Sequence, residues 1–395
     1  MSTPLNILIS GGGIAGSTFA RCMLRAHPNT NITIVERAPE LRLSGASVDI
    51  RSSGVDIIKW MGIEPEIRAR STKETGTAFV RKDGSNIALM SATGDTEMQG
   101  MTSEYEIFRG ALADIIIRPI LEQVKIQSEK GSYDLLIAAD GVGSKIRGQM
   151  LGLPPREQVR DTGCRVCFFT IKRDMLNGST VSQWRSLPGG RAIYLRPDPS
   201  PLGRTRGNLL VVIPEKDKAK RAKYDQAIAK GNESFMQLLE EEFKGGDWLT
   251  ADVLKEMRKS DDVYCSLFAQ VRSPKLQDGR VVLMGDAGHA TPGIGTSLAM
   301  TSAYVLAGEL LRNGSNVLAA TKQYEDIMLP HIKKEQIDFD PLSLLVPQHA
   351  WAIAVRDTIL WWVDKLRMPT VVLYVASKLG IKESGVKMPD YPWPT

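Results

Sequence analysis

The hydrophobic pattern changes period several times along the chain, and each change marks an element. Leu5-Asn6-Ile7-Leu8-Ile9-Ser10 is a short apolar run that predicts a buried strand, and Gly11-Gly12-Gly13-Ile14-Ala15-Gly16 leads from it into a helix-forming stretch. A second strand at Ile32-Thr33-Ile34-Val35 makes residues 5–38 a β-α-β unit. Residues 54–61 have helical apolar spacing and stop at Gly62. Residues 76–90 alternate about Asp83-Gly84, a hairpin signature. A helix over 110–123, a short strand at 124–127 and a turn at Lys130-Gly131 precede 133–138, an apolar run of the parallel-sheet kind.

Between 162 and 214 the texture changes. Short apolar runs at 164–171, 181–184, 191–195 and 208–213 are joined by Gly/Pro turns and predict an antiparallel sheet. Residues 215–257 are helical and heavily charged, a covering layer, and a buried strand returns at 280–284 before a long helix. The stretch 351–379 is apolar and aromatic but interrupted by Asp357, Asp364, Lys365 and Arg367, too broken to span a bilayer. It reads as an amphipathic helix packed on its own protein, with contact to a membrane surface or a partner as the remaining readings. The order predicts an α/β protein: a Rossmann-like domain with an inserted antiparallel β-sheet substrate domain and a C-terminal helical segment. Expected boundaries are 1–75, 100–160 and 265–330 for the first, 76–99 and 161–264 for the second, and 331–395 for the third.

Composition narrows the function classes only a little. A length of 395 residues favours two structural units, and 43% hydrophobic with 24% charged residues is ordinary for a globular chain. The net charge of +5 is spread among acidic neighbours, which argues against a nucleic-acid partner. Cys22, Cys164, Cys167 and Cys265 form no disulfide framework. In a strand, Cys164 and Cys167 point to opposite faces, so they read as packing residues. Neither they nor the four histidines have metal-ligand spacing, and no metal is expected. No signal peptide is readable, so the expected location is cytoplasmic.

Chemistry concentrates at strand ends. In G-x-G-x-x-G, Gly11 permits the tight turn, Gly13 lets the backbone approach a pyrophosphate, and Gly16 lets the helix pack on the strand. Glu36, ending the second strand, can accept hydrogen bonds from an adenosine ribose. Asp140-Gly141-Val142-Gly143-Ser144 follows one buried strand and Gly285-Asp286 another, with a helix start near Gly293, Gly295 and Thr296. Such a start directs N–H groups at negative charge. Arg109 opens a helix beside the sheet. His289 follows the Gly-Asp turn, where supporting the backbone is at least as good a reading as catalysis, and no acid–base residue is assigned.

Taken together and in order, Gly11/Gly13/Gly16 with Glu36-Arg37, Phe108-Arg109-Gly110-x-Leu112, Ala139-Asp140-Gly141 with Ser144 and Arg147, and Gly285-Asp286-Ala287 resemble the single-component FAD-dependent hydroxylases, the group A flavoprotein monooxygenases. Within them, the chain is most similar to the tetracycline-inactivating oxygenases and natural-product hydroxylases, over residues 5–330. The resemblance implies FAD as cofactor, NADPH as reductant, and a C4a-hydroperoxyflavin formed with O2 that hydroxylates an aromatic, phenolic or enolic small molecule, polyketide-like in character. It places Gly11, Gly13 and Gly16 on the pyrophosphate, Glu36 on the ribose, Arg37 and Arg109 near the adenine and ribityl-phosphate region, and Asp140 at a dual flavin and NADPH position. It puts Gly285 and Asp286 on the ribityl chain, Gly45, Ala46 and Asp49 beside the isoalloxazine, and Gly293, Gly295 and Thr296 by the flavin N1–C2=O edge. Gln183, Tyr194 and Arg196 are weak substrate-wall candidates. Two segments are shorter than in the resembled family: only thirty residues separate Arg109 from Asp140, and the Thr291–Gly295 loop is trimmed. The alternatives are a same-fold flavin reductase or halogenase, the latter without its W-x-W-x-I-P signature, and a non-catalytic flavoprotein that binds partners in a biosynthetic pathway.

Overall fold

A computed structural model describes residues 4–37, 47–91, 104–126, 131–198, 203–314, 316–336, 338, 342–368 and 388–394. Strands from the first 140 residues and from 277–283 assemble into a six-stranded sheet. Its spatial order is Gln277–Asp278, Val281–Leu283, Leu135–Ala138, Asn6–Ser10, Asn31–Val35 and Val124–Ile126. All neighbours are parallel except the terminal Gln277–Asp278/Val281–Leu283 hairpin. The central strand is sealed by helices Ile14–Ala26, Arg109–Ile117 and Gly295–Asn313, whose Phe19, Ile116 and Leu306 join one core with Ile7 and Ile9.

The helix expected over 110–123 stops at Ile117, and Arg118–Gln123 continues as a 3-10 turn. Pro119 has no N–H for the α-helical ladder. The carbonyls freed by this, Ile115 and Ile116, accept from the Arg21 guanidinium at 3.1 and 3.4 Å. The short strand after it, Val124–Ile126, is the sheet edge and leaves Ile126 exposed.

The antiparallel expectation becomes a seven-stranded sheet ordered Tyr264–Val271, Val159–Ile171, Arg204–Val212, Arg191–Asp198, Val181–Leu187, Gly76–Val80 and Asn86–Ser91. The hairpin of 76–90 thus adds to it, through a parallel pairing of Gly76–Val80 with Val181–Leu187. One boundary differs from expectation: Tyr264–Val271 pairs with Val159–Ile171 and so lies in this sheet, not with the segment beginning at 265. Its hydrogen-bonding partner, which sequence spacing does not reveal, decides the matter. Helices Lys218–Lys230, Asn232–Phe243 and Thr250–Lys259 cover one face, and the other packs Phe79, Trp184 and Val212 against Leu360 and Trp361 of helix Ala350–Lys365. Residues 369–379 of the expected C-terminal amphipathic stretch lie outside the described residues.

Cys164 and Cys167 do point to opposite faces, one in each core. Cys167 also faces Cys265 across the strands with the sulfurs 3.6 Å apart, a neighbour that the sequence did not disclose. A third, two-stranded sheet pairs Ser47–Asp49 with Glu106–Phe108. Among the described residues no helix is long and apolar enough to cross a membrane.

Candidate functional site

The carboxyl ends of three adjacent parallel strands meet beside the central strand, which has Asn31–Val35 on one side and Leu135–Ala138 on the other. Connections leave this point in opposite directions, which opens a crevice of the kind that binds ligands in α/β sheets. The glycine turn lies there, and its three glycines are there for different reasons. Gly11 has φ +111°, and a Cβ on it would lie 2.3 Å from the Ala139 carbonyl oxygen. A Cβ on Gly16 would lie 2.1 Å from the Gly11 oxygen. The chain itself therefore demands both.

Gly13 is different. It has φ −71°, and the nearest atom to a Cβ there is Arg109 Nη2, at 4.0 Å. Its missing side chain leaves open space between the start of helix Ile14–Ala26 and a guanidinium, a cradle shaped for an anion. Glu36 stands at the edge of the cradle, where one carboxylate oxygen accepts the Gly12 N–H at 2.9 Å. Arg37 is exposed.

The Gly285-Asp286 turn is fastened to the same place. Gly285 has φ +58°, and a Cβ on it would meet the Ala15 methyl at 2.7 Å, so the turn sits directly on the first helix. Asp286 opens the one-turn helix Asp286–His289, with Oδ1 3.7 Å from the Cβ position of Gly295, the first residue of helix Gly295–Asn313. Thr296 follows, and Gly293, at φ +89°, has open space around it. Asp140 is exposed and accepts the Lys145 N–H at 3.2 Å, while Ser144 caps helix Lys145–Leu151. The buried Arg147 guanidinium donates to the carbonyls of Ala287 and Val142 at 2.7 Å each and to that of Pro155. It ties the Asp140 loop to the Asp286 turn.

His289 is buried, and among the described residues neither ring nitrogen has a hydrogen-bond partner. Burial pushes its pKa down to about 4, so the ring is neutral near pH 7. The contact to the turn runs from its backbone N–H to Gly285 O at 2.9 Å, and the ring itself is packing.

The two-stranded sheet joins this crevice to the seven-stranded one. Asp49 and Glu106 are directly opposed across it, Glu106 buried and Asp49 partly buried. Arg196, reaching over from the large sheet, pairs with Glu74 at 2.9 Å and also with Glu106 and Ser47. Glu74 further accepts from Ser182 at 2.9 Å and from the Tyr194 hydroxyl at 3.1 Å. Among the described residues, Asp49 Oδ1 is a buried acceptor with no hydrogen-bond partner. Desolvation, opposed by Arg196 and reinforced by Glu74 and Asp49, raises the Glu106 pKa to about 7, and desolvation also raises that of Asp49. The cluster therefore keeps a proton near neutrality.

The sign of the resulting pH dependence is definite. Because its folded pKa is raised, the stability linked to Glu106 is complete below about pH 4.5 and lost as pH rises through about 7. His289 acts oppositely, its contribution full above about pH 6.5 and lost as pH falls through about 4. Glu106→Gln is expected to flatten the melting temperature between pH 4.5 and 7. An unchanged slope in thermal melts would place that proton elsewhere.

A cavity lies where these groups meet, lined by Ser47, Phe108, Phe168, Phe169, Arg196 and Arg206. The Arg206 guanidinium stacks 4.4 Å from the Phe108 ring centroid and pairs with Asp262 at 3.0 Å. Of the sequence-derived wall candidates, Arg196 reaches the cavity, with its charge already taken up by Glu74 and Glu106. Tyr194 lies in the polar network behind it, and Gln183 does not line the cavity. Gly45 and Ala46 lie outside the described residues. The sequence reading missed Phe108, Phe168, Phe169 and Arg206 as wall residues. Only strand register brings them together, with Phe168 opposite Asn208 and Arg196 opposite Arg206.

No family model matches the chain. It is 30% identical to the flavin-dependent monooxygenase eupH of a Phoma species, over 90% of this chain and 91% of that protein. It is 29% identical to the FAD-dependent monooxygenase asL6 of Sarocladium schorii, over 98% of each. Among solved structures, the fold is similar to the tetracycline destructase Tet(51), with a TM-score of 0.70, 24% identity and coverage of 92% of this chain and 97% of that one. It is also similar to HpxO of Klebsiella pneumoniae complexed with FAD and uric acid, with a TM-score of 0.65, 20% identity and coverage of 92% and 94%.

Proposed function

The chain belongs to the flavin-dependent monooxygenases and uses FAD, and from that premise we propose that it hydroxylates an aromatic, phenolic or enolic small molecule with NADPH as reductant and O2 as oxygen source. The observation that carries the reading is the open space at Gly13 facing Arg109, in one crevice with the anchored Asp286 turn. Gly11 and Gly16 answer to the chain, whereas the vacancy at Gly13 answers to a ligand. The FAD pyrophosphate belongs in that cradle, with Glu36 toward the ribose and Asp286 toward the ribityl chain. The N-terminus of helix Gly295–Asn313 then offers its N–H groups to negative charge on the flavin ring.

When reduced by NADPH, the bound flavin supplies the oxygen-activating chemistry. This chain's residues hold and shield it. Phe108, Phe168 and Phe169 give this small cavity apolar walls, and Arg206, Asn208 and Asp262 give it a polar rim. The proton held by the Glu106 cluster lies at the cavity edge, through Arg196 and Ser47. A cytoplasmic setting suits its reduced thiols.

Purified protein should be yellow or take up FAD, and phenolic or enolic compounds should accelerate NADPH oxidation and give an oxygenated product. A colourless chain that cannot be reconstituted would refute the cofactor geometry. Acceleration without any oxygenated product under air would instead indicate a reductase. Asp286→Ala should weaken FAD retention about tenfold to a hundredfold, the range for losing a charged hydrogen bond. Unchanged FAD content in that variant would remove Asp286 from the ribityl contact.

A further inference from the structure

Helix Ala350–Lys365 has two apolar faces. Leu360 and Trp361 pack on the antiparallel sheet, and Arg356 fixes the helix there by donating to Ser186 Oγ at 2.6 Å. The outer face carries Trp351 at 69% exposure, Val355 at 52%, Ile359 at 57%, Trp362 at 52% and Leu366 at 57%. These positions recur at three- and four-residue steps, the spacing of a helix–helix seam. Scattered exposed apolar residues need no explanation, but a continuous strip with two tryptophans does.

The strip is also palindromic. About the midpoint between Thr358 and Ile359, Trp351 and Leu366 are equidistant, as are Val355 and Trp362, and Ala354 and Val363. A two-fold axis at that point sets an antiparallel copy of the helix against it. Trp362 of one protomer then lies over Val355 of its partner, and Trp351 over Leu366, bulky against smaller at each layer. We propose that this outer face is a homodimer interface, two copies pairing antiparallel about Thr358–Ile359.

Charge favours a second copy over a lipid surface. Lys365 and Arg367 are exposed only at the C-terminal end of the strip, and Asp357 and Asp364 lie beside it, so no rim of cations surrounds the apolar face. A membrane-surface helix instead sets its apolar face in a rim of cations and keeps its other face in water. Here the other face is buried on the sheet. With aromatic side chains covering about 150–250 Å² each when buried, the strip offers roughly 600 Å² per copy, approaching the roughly 800 Å² per partner of a standard interface.

Sedimentation velocity of the full chain over a concentration series tests this. The wild type should dimerise, and Trp362→Glu should raise the dissociation constant about a hundredfold, since two seam tryptophans are lost per dimer. Its far-UV circular dichroism spectrum and FAD content should stay unchanged, because Trp362 lies half-exposed on the outer face of the helix. Thr358→Cys, beside the axis, should form a disulfide-linked dimer with oxidised glutathione. Val355→Cys and Trp362→Cys should cross-link when mixed but not separately. A chain monomeric at all concentrations overturns the proposal, and if it then sediments with phosphatidylserine vesicles, the face is a lipid surface instead. A dimer unaffected by Trp362→Glu, or self-cross-linking of Val355→Cys alone, overturns it as well.

Discussion

Replacing Gly13 with alanine is expected to yield a normally folded protein that has lost FAD, with affinity falling about a hundredfold or more, or roughly 2.7 kcal/mol. The backbone at Gly13 is compatible with any L-residue, and no protein atom comes within 4.0 Å of the new methyl. The apoprotein therefore has no reason to object, and the cost falls on whatever approaches the turn. Gly11→Ala is the contrasting variant. Its methyl would drive into the Ala139 carbonyl at a φ of +111°, separating the ends of two adjacent strands, so the fold itself should lose stability. Thermal melts of the apoproteins, read beside flavin absorbance, distinguish the two. If Gly13→Ala retained FAD at wild-type affinity, the pyrophosphate would not lie in this cradle.

Arg196→Met should destabilise the protein by about 3–5 kcal/mol near pH 8, the cost of leaving buried charge uncompensated. Two carboxylates, Glu74 and Glu106, share that guanidinium, and Asp49 stands opposite Glu106 across the strands. The deficit should shrink toward pH 5, where the carboxylates of the variant take up protons. Arg196→Lys should rescue only in part, since an ammonium cannot fork between two acids and a hydroxyl. Chemical denaturation at the two pH values checks this. A deficit independent of pH would mean that Arg196 acts through packing alone.

The cluster also shows where sequence reasoning reaches its limit. Arg196 and Tyr194 were readable as candidates, but Glu74 and Glu106 were not, because they lie 122 and 90 positions away from Arg196. Cys167 and Cys265 are 98 positions apart and meet for the same reason. The aromatic wall has no local signature either: Phe168 and Phe169 look like any strand residues until register sets them beside Arg206 and Asn208. Conversely, the turn at 11–16, the strand ends at Asp140 and Asp286 and the helix starts were legible, since each is a contiguous stretch in which a few residues dictate backbone geometry.

The local elements, the glycine turn and the order of the motifs were thus determined by the sequence alone, because turn sterics and hydrophobic period act between near neighbours. Tertiary structure decided what those elements face. It separated Gly13, which is bare for a ligand, from Gly11 and Gly16, which are bare for the chain. It neutralised Arg196 before any substrate could use it, and among the described residues it left one face of the C-terminal helix exposed. Each of these depends on which distant side chains share a buried volume, and pairing between strands sets that, not spacing along the chain.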